Sequence, residues 1–223
     1  MVFKRQVWGD SDSWRIKYET GMTFRRYDKI RQIRQRILIL CEGTETEPNY
    51  FNSLRADKLR NKHSSGLRII VHETKINTAK ELIDEAIRLM KIARREDNEY
   101  DEVWVVFDKD GYTKHPESFD RAKAKKISVA FSSPCFELWY YLHFKYSAAP
   151  VKDGDAMCKR LKEHINGYQK SEDYYNTLSP LTEKAIVHGN QIIKHWKETG
   201  DTRLWEHNPY TNVGILVEKL LNL

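Results

Sequence analysis

Three carboxylates follow two apolar runs of the sequence, each at a point where the run gives way to a turn-forming glycine. Glu42 comes directly before Gly43, and Asp108 and Asp110, separated by Lys109, come before Gly111. In an extended segment, two residues separated by one position lie on the same side of the backbone. Carboxylate oxygens are ligands that Mg²⁺ prefers, and such an ion can assist a phosphoryl displacement. One acid after a strand is usually an ordinary loop residue, but three together predict a cation site.

A parallel sheet is the element that would bring these acids together. Apolar runs bounded by turn residues predict four buried strands, and helical patterns separate them. A capping box of Thr78 and Glu81 predicts the start of the most periodic helix. Alternating strands and helices predict an α/β fold, a parallel sheet of about four strands flanked by helices. Open parallel sheets bind ligands at the carboxyl ends of their strands. The predicted strands are Ile37–Cys41, Leu67–His72, Val103–Phe107 and Ile127–Phe131.

The character of the sequence changes after Pro150. Helices are predicted over 153–166, 182–199 and 211–222, with polar connections between them and no strand. We therefore divide the chain into a basic N-terminal arm, an α/β core and a helical C-terminal elaboration of the same domain. The bounds are 1–36, 37–150 and 151–223.

The N-terminal arm carries the whole net charge of the chain. Residues 1–36 contain ten lysines and arginines and four acids, and the chain has a formal net charge of +6. A basic segment of this kind suits binding to a phosphate backbone, but a solvated arm explains the same composition. If the arm binds nucleic acid, we expect Arg25, Arg26 and Arg31 to contact phosphates.

Other polar residues near the strand ends have two interpretations each. Glu137 opens an aromatic-rich helix and is predicted as an additional metal ligand. The alternatives are an acid favoured by the helix dipole, or a buried acid bonded to a backbone or tyrosine donor. Glu45 and Glu47 flank another helix start and are interpreted as dipole-favoured acids. His143 is interpreted as a core or surface histidine, and the nearby aromatic residues as core rather than a base-stacking platform.

Composition excludes several classes of protein. The three cysteines form no CxxC pair, which argues against a disulfide framework and a structural zinc site. No apolar stretch is long enough to span a bilayer, and the N-terminus lacks the apolar region of a secretory signal. We therefore expect a cytoplasmic protein without a membrane partner.

The sequence resembles the RloB family, which is assigned to a Toprim-like fold. Four stretches carry the resemblance and together span most of the chain after residue 36. One departure stands out, because Ser133 occupies a position where the family pattern has asparagine. The stretches are ILILCEGTETEPNYF (37–51), DEVWVVFDKDG (101–111), SSPCFELWYYLHF (132–144) and NPYTNVGILVEKL (208–220).

The resemblance implies a metal-dependent nuclease of DNA or RNA. It implies that Glu42 acts as a general acid/base or metal ligand, and that Asp108 and Asp110 hold Mg²⁺ or Mn²⁺. It further implies a role in prokaryotic anti-phage defence or abortive infection, beside an ABC- or AAA-type ATPase partner. The sequence has no GxxxxGK[ST] phosphate loop, so this chain is not expected to be that ATPase. Its oligomeric state stays open, a homo-oligomer included.

Two alternatives compete with the nuclease hypothesis. Residues 107–111 resemble the Asp-x-Asp-Gly motif of haloacid-dehalogenase-type phosphatases, in which the first aspartate is the nucleophile. That motif normally follows the first strand, however, and it leaves Glu42 without a role. The second alternative is a non-catalytic regulatory or scaffold subunit that docks on the ATPase.

Overall fold

Five strands and their surrounding helices make up the fold of the described residues. A computed structural model describes residues 35–60, 67–76, 78–109 and 115–223. The predictions for Asp110 and for the three arginines of the arm (Arg25, Arg26 and Arg31) therefore lie outside the described residues.

The sheet is mostly parallel and confirms the predicted α/β class. The first four strands pair in parallel in the order β2-β1-β3-β4, so β1 and β3 occupy the centre. Their inner residues are almost all buried, as their apolar sequences require. This architecture is consistent with a Toprim-like fold. The strands are β1 (Gln35–Cys41), β2 (Leu67–Glu73), β3 (Glu102–Asp108) and β4 (Ser128–Ser133).

A fifth strand corrects the prediction that no strand follows Pro150. The strand β5 (Tyr210–Thr211) pairs with the end of β4 in the antiparallel direction. The Oγ of Ser132 and the Oγ1 of Thr211 lie 2.9 Å apart and form a buried hydrogen bond. Two residues are too few to show the alternation that identifies a strand in a sequence. The strand therefore depends on a neighbour distant in the chain.

The helices begin and end close to the predicted positions. The predicted cap at Thr78 is confirmed, because its Oγ1 accepts a hydrogen bond from the Glu81 amide at 3.3 Å. Helix 182–199 is also confirmed, and it ends before Gly200, whose φ of +75° suits glycine. The helices are α1 (Thr46–Arg60), α2 (Ala79–Arg95), α3 (His115–Ala124), α4 (Glu137–Phe144), α5 (Gly154–Lys162), α6 (Tyr175–Leu178), α7 (Thr182–Thr199) and α8 (Val213–Leu221).

An aromatic cluster joins α1 and α4 beneath the carboxyl edge of the sheet. Tyr50 of α1 packs edge-on against Phe136 and Trp139, with ring centroids 6.0 and 6.3 Å away. Tyr140 lies beside them, and all four side chains are buried. They therefore belong to the core and offer no exposed surface for base stacking.

The helices that follow Pro150 pack on the same hydrophobic core as the sheet. Helix α4 contacts both α5 and α7, and α7 in turn contacts α8. Buried residues from the strands and from these helices form one continuous cluster. No helix in the described ranges combines the length and apolar character needed to cross a membrane.

Candidate functional site

Glu42 and Asp108 meet at the carboxyl edge of the sheet because β1 and β3 are neighbours. The Glu42 amide donates to the Val106 carbonyl at 2.9 Å, which extends the strand pairing by one residue. The Asp108 amide donates in return to Oε2 of Glu42 at 3.3 Å. Gly43 follows with a φ of +75°, a left-handed conformation that favours glycine. The Glu42 side chain is thereby held against the end of β3.

Asp108 is the last residue of β3, and the chain leaves the strand beside β4. The Lys109 amide donates to the Ser132 carbonyl at 3.0 Å, so the backbone after Asp108 stays paired. The ammonium of Lys109 lies 3.8 Å from Oε2 of Glu206. The structure thus describes Asp108, while Asp110 begins a range that it does not describe.

Glu47 belongs to the same acidic group, although it was interpreted from the sequence as an ordinary first-turn acid. Burial raises the pKa of Glu47 well above its usual value, and the negative charge of Asp108 raises it further. Glu137 and Glu42 contribute in the same direction. The charges of three other carboxylates therefore all act on Glu47. A signal for Glu47 existed in the sequence, namely an acid in the first helical turn directly after the strand that carries Glu42.

Glu137 is a buried acid with two defined donors. It opens α4 just after β4, and its Oε1 accepts from the Tyr168 hydroxyl at 3.1 Å. The ammonium of Lys170 lies 3.3 Å from the same oxygen. The tyrosine donor considered from the sequence is thus present. Tyr168 and Lys170 were not predicted from the sequence, because both lie in an irregular connection far along the chain.

The donor groups around these acids suit a hard cation better than a soft one. Burial together with the charges of Glu137 and Asp108 raises the pKa of the Cys135 thiol well above the usual value. A protonated thiol is a poor metal ligand. The remaining donors are carboxylate oxygens, which fit Mg²⁺ or Mn²⁺. Among the described residues, which exclude Asp110, no group of three or more His, Cys, Asp or Glu side chains is placed to hold a metal ion.

Two further residues from the sequence analysis lie in the core. His143 is fully buried, and its Nδ1 bonds to the Trp139 carbonyl at 2.9 Å. Burial lowers the pKa of His143 to about 4, so its ring is neutral at physiological pH. Ser133, which replaces the asparagine of the family pattern, is also buried, and its Oγ has no hydrogen-bond partner among the residues that the structure describes.

A mostly parallel α/β sheet with carboxylates gathered at its carboxyl edge defines the class of this protein. Comparison with family models places the chain within that class: the model of the RloB-like protein family matches residues 37–220. The match covers most of the chain, and the chain belongs to this family. No curated protein and no solved structure matches it.

Proposed function

We propose that the chain is a metal-dependent nuclease that hydrolyses phosphodiester bonds of DNA or RNA. The observation that carries the proposal is the hydrogen bond between the Asp108 amide and the Glu42 carboxylate. It brings two acids from neighbouring strands to the edge where parallel sheets bind ligands. The negative charges of Glu42, Asp108 and Glu137 act together on Glu47 beside them. A divalent cation would offset that charge and attract phosphate.

Each acid has a proposed role. Asp108 and Asp110 would hold Mg²⁺ or Mn²⁺, which when bound supplies positive charge to the phosphate oxygens. Binding of the ion would require the Asp110 carboxylate to lie near the carboxylates of Glu42 and Asp108. Glu137, predicted as a further ligand, already uses Oε1 to accept from two donors, so a metal contact would fall to Oε2.

Glu42 is proposed as the general acid/base of the hydrolysis. A water oxygen attacks phosphorus, and its proton passes to the Glu42 carboxylate. The bond between phosphorus and the leaving oxygen breaks, and the electron pair stays on that oxygen. Glu42 releases its proton to solvent, and a proton from solvent neutralises the leaving oxygen, so the products are a phosphate monoester and a free hydroxyl. The hydrogen bond from Asp108 orients the Glu42 carboxylate for this transfer.

A cleavage assay tests the proposal. The full chain is incubated with single- and double-stranded DNA and RNA in Mg²⁺ or Mn²⁺, with and without its ATPase partner. We expect cleavage that stops on chelation and in the Asp108→Asn variant, because an amide is a poor Mg²⁺ ligand. Asp97→Asn is the matched control, because Asp97 is exposed and its φ of 48° suits asparagine. Cleavage by Asp108→Asn at the wild-type rate would reject the proposal.

The biological setting is proposed from the family resemblance. We propose that the chain is an effector of prokaryotic anti-phage defence or abortive infection, acting with an ATPase. Protection of cells by Asp108→Asn at matched expression separates this from the regulatory-subunit alternative. Loss of protection with preserved ATPase binding supports the nuclease effector. Full protection would favour the regulatory subunit.

A further inference from the structure

The loop of residues 167–174 connects α5 to α6 and lies along the first turns of α1. The Thr46 hydroxyl donates to the Lys170 carbonyl at 3.2 Å. The Asn49 amide side chain donates to the Ser171 carbonyl at 3.1 Å. These two contacts hold the backbone of Lys170 beside the helix start from which Glu47 extends.

The side chain of Lys170 joins a buried carboxylate to the solvent. Only 2% of the Glu137 side chain is exposed, against 53% of the Lys170 side chain. A buried carboxylate is stable only when it is paired and hydrogen-bonded, and Tyr168 and Lys170 meet that need. The ammonium of Lys170 pairs with Glu137 on one side and still reaches solvent on the other.

This cation borders the proposed catalytic site, because its partner Glu137 follows the end of β4, where Ser132 pairs with Asp108 of β3. Its partner Glu137 acts electrostatically on Glu47, on which Asp108 acts as well. Cys135 lies within the fields of Asp108, Glu137 and Lys170 alike. A half-exposed ammonium in this position offers the positive charge that an incoming phosphate needs among several acids.

We propose that Lys170 binds a non-bridging oxygen of the scissile phosphate, with Glu137 and Tyr168 as positioning residues. This inference rests on the proposed nuclease function and deepens it, because it assigns a phosphate contact outside the predicted acids. Lysine binds phosphate as a compact point charge, and pre-positioned charge is more effective where water is partly excluded. The ion pair with Glu137 fixes the ammonium before the substrate arrives.

A purely structural Lys170 would neutralise Glu137 and do nothing else. In that case its replacement would change stability while leaving the salt dependence of substrate binding intact. The full chain is therefore assayed on the oligonucleotide that the wild type cleaves fastest. Cleavage is measured in Mg²⁺, and binding is measured in Ca²⁺ over a series of salt concentrations. Lys162→Met is the matched control, because Lys162 is an exposed lysine at the end of α5.

We expect Lys170→Met to lower kcat/KM by about 100-fold or more, and Lys170→Arg to restore a large share. We also expect the salt slope of binding to fall by about 0.7–0.9, the value for one lost phosphate contact. Lys162→Met should match the wild type in both measurements. If the unpaired carboxylate unfolds Lys170→Met, the double variant Glu137→Gln/Lys170→Met is compared with Glu137→Gln alone, so that the difference between the two reports the loss of Lys170.

The outcomes separate this inference from the proposed function. Lys170→Met with wild-type cleavage and an unchanged salt slope would overturn the phosphate contact, while loss of cleavage in Asp108→Asn would keep the nuclease. A wild-type chain that cleaves no substrate in the panel, with or without the ATPase, would overturn both.

Discussion

The two edges of the parallel sheet carry opposite charges in different physical settings. At the carboxyl edge, Glu42 and Asp108 are partly buried and joined by a hydrogen bond. At the amino edge, a groove of about 250 Å³ lies among exposed cations at the ends of α2 and α3. Strand β1 begins at the amino edge, and its seven residues place Glu42 about 23 Å away.

The ring of Tyr100 and several exposed charged side chains lie at the amino edge. The guanidinium of Arg36 lies 4.7 Å from the centre of the Tyr100 ring and also donates to the Glu99 carbonyl. The groove is lined by Lys91, Arg94 and Lys125 together with apolar side chains from α2. Lysine and arginine at the end of a helix favourably oppose its dipole. These cations therefore have a structural explanation without a ligand.

The comparison teaches that like charges indicate a site only when the fold crowds them together. The acids at the carboxyl edge come from separate elements, and each raises the pKa of Glu47. Such crowding is unfavourable unless a cation offsets it. The cations of the amino edge are spread over exposed surface, where water screens their repulsion. The acidic edge is therefore the site that we propose for the chemistry.

The largest expected effect comes from replacing Glu42, the proposed general acid/base at the carboxyl edge. Glu42→Gln should lower kcat by a factor of about 10²–10⁴, the range for loss of a proton-transfer group. Glu45→Gln is the matched control, because Glu45 is an exposed acid three residues away. Single-turnover cleavage of the preferred oligonucleotide measures both. Equal rates for the two variants would remove Glu42 from the mechanism.

Lowering the pH should destabilise the folded chain through His143, a buried residue of α4. Burial lowers the pKa of His143 to about 4 from 6.5 in the unfolded chain. Between these values the unfolded chain binds a proton that the folded chain does not, so stability present above pH 6.5 is lost as the pH falls. From pH 7 to pH 5 this loss should be about 2 kcal/mol.

Urea unfolding of the wild type and of His143→Gln at the two pH values measures this loss. Glutamine can still donate to the Trp139 carbonyl but does not titrate, so the variant should lose about 2 kcal/mol less than the wild type. His195→Gln is the control, because His195 is exposed on α7. If His143→Gln loses as much stability as the wild type, the lowered pKa of His143 does not govern acid stability.

The sequence predicted the parts of the fold that depend on local patterns. Strands β1 to β4 each contain a run of apolar residues, and such runs are recognisable without knowledge of their neighbours. Thr78 was recognised as a cap because the capping pattern spans only four residues. Strand β5 was missed because its two residues are defined only by their pairing with β4. The paired residues Ser132 and Thr211 are 79 positions apart in the chain.

Only some residues of the candidate site could be predicted from the sequence, because the others are brought there by packing between distant segments. Glu42 and Asp108 follow recognisable strands, so their meeting at one edge follows from the parallel topology. Glu47 could not be assigned to the site without knowing that the start of α1 is buried. Lys170 lies 33 residues after Glu137 in a loop without periodicity, and only packing brings the two together.

The smallest expected effect compares two basic regions that composition alone cannot distinguish. One variant replaces the arm arginines with alanine: Arg25, Arg26 and Arg31. The other replaces the groove cations with glutamine: Lys91, Arg94 and Lys125. Each variant removes three positive charges, so a difference between them reflects position rather than net charge.

For duplex DNA, each lost phosphate contact lowers the salt slope of binding by about 0.9. We expect the arm variant to lose about two to three units of slope, equally across sequences, and the groove variant less than about one. Fluorescence anisotropy at several salt concentrations measures both slopes. A groove variant that loses as much slope as the arm variant would show that the cations of the amino edge bind nucleic acid, and an arm variant with an unchanged slope would leave the arm without that role.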